Sequence, residues 1–241
     1  MIKVNSLINL LKRNKSDFFT GVPDSVLKDL STVLQKKNKQ QHIIASNEGA
    51  AVSIGIGHYL STNKIPTIYM QNSGLSNALN PLISIAHEKV YSIPLILIIG
   101  WRGSPRIKDE PQHNVKGKIT EQILKLLNIK YTILRSVSDI NKFDKQIKLA
   151  KKKKSIVACL IEQGTLEKIK NTKKKKDFYN LDKELFLKSL LENLTNNTKI
   201  ISSTGYNSRE LMYLREKYKF NNTKDFYMVG GMGHTSSVAL G

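Results

Sequence analysis

The stretch IPTIYMQNSGLSNALNPLISIAHEKVYSIPLILIIGW, residues 65–101, decides the fold. Residues 66–70 are a short apolar run with β-branched and aromatic members, which predicts a strand. The polar run Gln71-Asn72-Ser73-Gly74 follows as a loop, and residues 75–87 carry apolar positions at helical spacing. A second apolar run, residues 94–99, predicts another strand. Two strands joined through a helix form a βαβ unit, whose strands must be parallel. The apolar stretch 93–101 contains Pro94 and is far shorter than the roughly 20 residues a bilayer span needs, so it reads as a buried strand.

Working outward, the alternation continues on both sides. Residues 6–13 predict a helix, 17–20 a strand, 25–35 an amphipathic helix, 42–45 a strand and 47–60 a helix rich in small residues. Residues 103–117 read as a polar loop. Residues 119–127, 131–134, 138–151 and 155–161 then predict helix, strand, helix and strand. The fold class is α/β, a parallel sheet with helices on both faces. Residues 1–170 form this domain. Residues 171–177 are charged and unpatterned, a lysine-rich linker. A second unit, residues 178–241, starts with a helix at 181–194, a strand at 199–202, a helix at 208–217, a strand at 225–229 and a helix from Thr235. That is too little sheet to close a core, so this second domain reads as incomplete.

Composition narrows the function classes. The 241 residues carry 39 Lys and Arg against 19 Asp and Glu, a formal net charge of +20. The cations are mostly lysines in runs such as 151–154 and 173–176, alongside abundant Ile and Asn. That pattern fits an AT-rich coding bias better than a nucleic-acid partner, since no aromatics interleave the basic runs for base stacking. The single cysteine, Cys159, excludes an internal disulfide; it sits in an apolar run and fits a reducing cytoplasm. Residues 1–15 lack the continuous apolar core of a signal peptide. A cytoplasmic protein with neither membrane nor nucleic-acid partner is expected.

Several motifs follow the predicted strands in order. They are Gly21-Val22-Pro23-Asp24-Ser25, Asn47-Glu48-Gly49-Ala50-Ala51, Tyr69-Met70-Gln71-Asn72-Ser73-Gly74-Leu75, and Gly100-Trp101-Arg102-Gly103 with Asp109-Glu110-Pro111-Gln112-His113. Ser208-Arg209-Glu210-Leu211 and Gly230–His234 come later. Together they resemble the phosphonopyruvate decarboxylase family of thiamine-diphosphate-dependent 2-oxo acid decarboxylases. The resemblance implies the thiamine-diphosphate-binding fold, with residues 1–170 as the pyrimidine domain and 178–241 as the start of the diphosphate domain. It implies thiamine diphosphate and Mg2+ as cofactors, a homo-dimer or homo-tetramer, and decarboxylation of 3-phosphonopyruvate to phosphonoacetaldehyde in phosphonate biosynthesis. Alternatives are a sulfopyruvate or other 2-oxo acid decarboxylase, or a non-catalytic fragment or subunit.

The residue readings stand beside that resemblance. Glu48 opens a helix after the cap candidates Ser46 and Asn47, where the helix dipole favours a carboxylate; the resemblance makes it the catalytic contact to a pyrimidine ring nitrogen. Gln71 and Asn72 lie at the carboxyl end of a strand, where open parallel sheets bind ligands, and are expected at the cofactor. Asp24 is a turn and cap residue by its position and faces the reactive centre by resemblance. Arg102, Asp109 and His113 sit in a polar, cationic stretch suited to an anionic substrate. His113 can also move a proton, its ordinary pKa being near neutral. Gly231, Met232 and Gly233 are implied at the cofactor, with Met232 as an apolar wedge that bends it. No Gly-Asp-Gly occurs in the sequence, so no metal ligand is assigned. The resemblance implies that the ligands of Mg2+ lie beyond residue 241, the chain being truncated before that motif.

Overall fold

Six apolar runs become six parallel strands: β1 (Phe19–Gly21), β2 (His42–Ile44), β3 (Thr67–Gln71), β4 (Ile96–Trp101), β5 (Lys130–Leu134) and β6 (Val157–Glu162). The computed structural model describes residues 1–169, 181–195, 197–220, 225–231 and 233–241. The strands form one sheet in the order β2-β1-β3-β4-β6-β5. Helices α1 (Val4–Arg13), α2 (Lys28–Leu34), α3 (Glu48–Thr62), α4 (Leu75–Pro81), α5 (Pro111–Leu126) and α6 (Val137–Lys153) alternate with them.

Strand β4 is buried along its whole length, so it presents an apolar residue to each face in turn. Ile96 and Ile98 join Val157, Cys159 and Ile161 of β6 in a core completed by Leu7 and Leu11 of α1, Leu30 and Leu34 of α2, and Phe143 and Ile147 of α6. Leu97, Ile99 and Trp101 join Ala158 and Leu160 in a second core with Val52 and Ile56 of α3, Leu75 and Ala78 of α4, and Leu124 of α5. Helices therefore cover both faces, as the strand pattern predicts. Cys159 lies inside the first core, and burial pushes its thiol far above the ordinary range.

Most boundaries shift by a residue or more from the sequence reading, and four of the shifts have a physical reason or bear on the site. The first strand is Phe19–Gly21 rather than 17–20. The second helix begins at Lys28, because residues 24–27 form a turn held by the Asp24 carboxylate. The helix at 75–87 stops as an α-helix at Pro81 and continues as one wider π turn, Leu82–Ala86. Pro81 has no N–H to give to the preceding turn, which frees the backbone to widen. The expected loop at 103–117 is the largest departure, since α5 already begins at Pro111. Proline suits the first helical position. The early turns of α5 show no apolar period because glycine backbone, not side chains, makes their contact. A Cβ at Gly117 would lie 1.6 Å from the carbonyl oxygen of Gly103, and Trp101 Nε1 donates to the Gly117 carbonyl at 3.0 Å.

The chain divides into two compact units, Met1–Asn171 and Thr172–Gly241. The expected linker at 171–177 lies outside the described residues. In the second unit α7 (Lys183–Glu192) and α8 (Tyr206–Lys217) bury Leu191, Leu211 and Leu214 together. Strands β7 (Ile201–Ser202) and β8 (Phe226–Tyr227) pair in parallel, and α9 (Thr235–Leu240) buries no residue. The Arg215 guanidinium donates twice to Asp225, at 2.8 Å each, tying α8 to the start of β8. No helix among the described residues is long and apolar enough to cross a membrane.

Candidate active site

Parallel strands place all their carboxyl ends on one edge, and the loops leaving that edge carry the candidate residues. Asp24 follows β1, Glu48 follows β2, Gln71 ends β3, and Arg102 follows β4. The fold thus brings together residues that lie far apart in the chain.

Glu48 is the first residue of α3 and is only 6% exposed. Asn47 caps the helix by accepting from the Ala50 N–H at 2.8 Å, so the Glu48 carboxylate is free for other work. Its Oε2 accepts from Asn77 Nδ2 at 3.0 Å. Its Oε1 lies against Gly74, where a Cβ would come within 2.0 Å of it. No side chain among the described residues hydrogen-bonds Oε1.

Asp24 lies over the end of β4, in space that a side chain at Gly100 would fill. Its Oδ2 accepts from the N–H groups of Val26 and Leu27, both at 3.1 Å, which makes it the turn cap that its position predicts. Its Oδ1 accepts from Gln71 Nε2, and Gln71 Oε1 accepts from Ser73 Oγ at 2.6 Å. These three polar side chains form a chain across the mouth of β1 and β3.

Asn72 is buried and faces inward. Its Nδ2 donates to the Arg102 carbonyl and to Thr120 Oγ1, and its Oδ1 accepts from the Arg102 N–H. In this arrangement it clamps β3, β4 and α5 together. Arg102 meets Asp109 in a bidentate pair, and Asp109 also accepts from the N–H groups of Gly103 and Glu110. The hydrogen bonds from Arg102 hold the Asp109 carboxyl well below the usual carboxylate range, and in return raise the guanidinium further. Arg102 Nη1 reaches Ser25 Oγ at 3.4 Å, back on the β1 loop. His113 is the third residue of α5. Burial, and then the neighbouring Arg102, lower its pKa, so the imidazole is held neutral at neutral pH.

Other residues the sequence reading left unassigned complete the edge. Glu162, at the end of β6, is buried, accepts from Ser104 Oγ at 2.9 Å and is met by Arg135. It anchors the β4–α5 connection from the side opposite Asn72. A charged residue closing an otherwise apolar strand run was the available signal. Thr120 and Asn77 carried none. Among the described residues, no group of three or more His, Cys, Asp or Glu is placed to hold a metal. Gly231 and Gly233, in the second unit, are exposed with φ of +65° and +86°, left-handed values that glycine adopts freely. Met232 lies outside the described residues.

An open parallel sheet with a buried, half-engaged carboxylate at a helix start on its ligand edge defines a ligand-binding α/β domain. Residues 3–124 match the family described as thiamine pyrophosphate enzyme, N-terminal TPP binding domain, and the chain belongs to that family. A phosphonopyruvate decarboxylase of Streptomyces hygroscopicus is 28% identical over 238 residues, covering 92% of this chain and 57% of the relative. The sulfopyruvate decarboxylase subunit alpha of Methanococcus maripaludis is 36% identical over 115 residues, covering 48% of this chain and 66% of the relative. Benzoylformate decarboxylase from Polynucleobacter necessarius shares the fold, with a TM-score of 0.51 at 16% identity over 83% of this chain and 38% of that one. The chain spans just under three fifths of the length of the phosphonopyruvate decarboxylases it matches.

Proposed function

We propose that this chain is the pyrimidine-binding domain and part of the diphosphate-binding domain of a thiamine-diphosphate-dependent decarboxylase of 3-phosphonopyruvate. The observation that carries the reading is the Glu48 carboxylate, buried at the ligand edge with Oε2 held by Asn77 and Oε1 unengaged beside Gly74. Such an oxygen fits the ring nitrogen of an aminopyrimidine, and the missing Cβ at residue 74 leaves room for the carboxylate itself to lie at this edge. When bound, thiamine diphosphate supplies the nucleophilic carbon and accepts the electron pair left as carbon dioxide departs. Glu48 would hold or pass a proton at the ring nitrogen and so set its tautomer. Gln71 and Asp24 would line the neighbouring edge. His113, once its neutral imidazole has taken up a proton from solvent, would hand that proton on near the reacting carbon and return to the neutral form, and Arg102 would face the acidic groups of the substrate. The magnesium ion that accompanies the diphosphate has no ligand set assigned among the described residues. Gly231, Met232 and Gly233 are proposed at the same cofactor, in a homo-oligomer of a cytoplasmic enzyme.

Phosphonopyruvate is favoured over sulfopyruvate because the likeness to phosphonopyruvate decarboxylases covers 92% of the chain, whereas that to the sulfopyruvate enzymes' alpha subunit covers about half. The test is Glu48→Gln in the cofactor-loaded enzyme. The variant is expected to keep its melting temperature and its affinity for the diphosphate, but to lose most turnover and slow exchange of the thiazolium proton. An unchanged exchange rate would reduce Glu48 to a residue that merely suits a helix start.

A further inference from the structure

Asn77 lies outside the motifs that follow the strands, and its side chain has no evident reason to point where it does. It is the third residue of α4 and is exposed, so water could satisfy its amide. Its Nδ2 turns instead to the start of α3 and donates to Glu48 Oε2, 29 residues away in sequence. Two glycines make that approach possible. A Cβ at Gly49 would lie 2.9 Å from the Asn77 carbonyl oxygen, and one at Gly74 would run into the Glu48 carboxylate itself. The anchoring of α4 does not need the contact, because Leu75 and Ala78 bury its inner face in the core.

A glutamate carboxylate turns freely about its last torsion, and its two oxygens are then equivalent. One donor breaks that equivalence. With Oε2 held by Asn77, Oε1 becomes the oxygen that remains for a ligand, and its direction is set before the ligand arrives. The chemistry of the donor matters as well. An amide N–H holds the carboxylate without neutralising it, as a lysine would, and an amide does not itself take up the proton. The proton is therefore left to be shared between Glu48 and whatever meets Oε1.

We infer that Asn77 is a positioning residue that selects and aims the Oε1 oxygen of Glu48 toward the ring nitrogen of the cofactor. The inference rests on the proposed role of Glu48, and the experiment separates the two. Asn77→Leu removes the donor at similar volume, and Asn77→Asp replaces it with an acceptor of the same shape. In the ligand-free chain, the side-chain amide resonance that disappears in Asn77→Asp is expected to move in Glu48→Gln. In the cofactor-loaded enzyme, both Asn77 variants are expected to slow thiazolium proton exchange about ten- to hundredfold, as befits a lost hydrogen bond to a charged group. The KM for the oxo acid should stay within about twofold, since the substrate is held elsewhere. If Asn77→Leu fails to fold, Asn77→Asp decides alone. Should Glu48→Gln slow exchange while the Asn77 variants leave it unchanged, the inference is overturned and the role of Glu48 stands. Should Glu48→Gln leave exchange unchanged, both fall together.

Discussion

At the scale of single residues, the pair Arg102–Asp109 sets what the cationic loop can offer. Asp109 is nearly buried and receives four hydrogen bonds, two of them from the guanidinium. An anionic substrate reaching Arg102 meets a side chain that already has a partner, so it must add to the Nη1 edge or displace Asp109. The pair also has a stability signature. The Asp109 carboxyl titrates below its unfolded value, so its contribution is present above pH about 4 and fades as pH falls toward the folded value. Asp109→Asn should therefore lower stability at pH 7 by about 1–3 kcal/mol, between the ranges for exposed and buried pairs. The difference from wild type should narrow in melting experiments below pH about 4. A gap of constant size across that range would mean that the carboxylate charge contributes nothing.

At the scale of elements, two glycines on helices make opposite predictions from the same substitution. Gly57 lies on the exposed face of α3 with open space around it, so Gly57→Ala should stabilise by about 0.5–1 kcal/mol. Gly117 lies on α5 against the Gly103 backbone, so Gly117→Ala should destabilise by about 1–3 kcal/mol despite alanine's better helix propensity. Chemical denaturation of the two variants checks both signs; a stabilised Gly117→Ala would show that α5 does not rest on Gly103. The same contact explains what was legible in the sequence and what was not. The strands and α1, α3 and α6 were readable because their buried faces are written in apolar side chains. The start of α5 was not, because a backbone-to-backbone seam leaves no apolar period. Glu48 could be singled out from its place after a strand and before small residues. Its partner Asn77 could not, since a donor from a different helix leaves no mark at local spacing.

At the scale of the whole molecule, the two units differ in how much they bury. The first has two extensive cores on either side of six strands, and the second, among the described residues, has a core cluster of three buried leucines and strands of two residues each. Amide hydrogen exchange should be slowest in β3, β4 and β6, and faster throughout β7, α8 and β8 by orders of magnitude. Equal protection in α8 and β4 would contradict that ordering. The parallel sheet carries a kinetic consequence for the candidate site. The contacts that assemble it join residues 29, 30, 47 and 58 positions apart, each spanning at least one crossover. No hairpin or isolated helix holds any of them. A chain that has gained its helices but not its strand order can form the local Asp24 turn and the Arg102–Asp109 pair, but carries none of the long-range geometry that joins Glu48, Asp24 and Arg102 to the neighbouring strands. Ligand competence should thus emerge among the last events of folding, after the slow pairing of distant strands, and can serve as a clock for its completion.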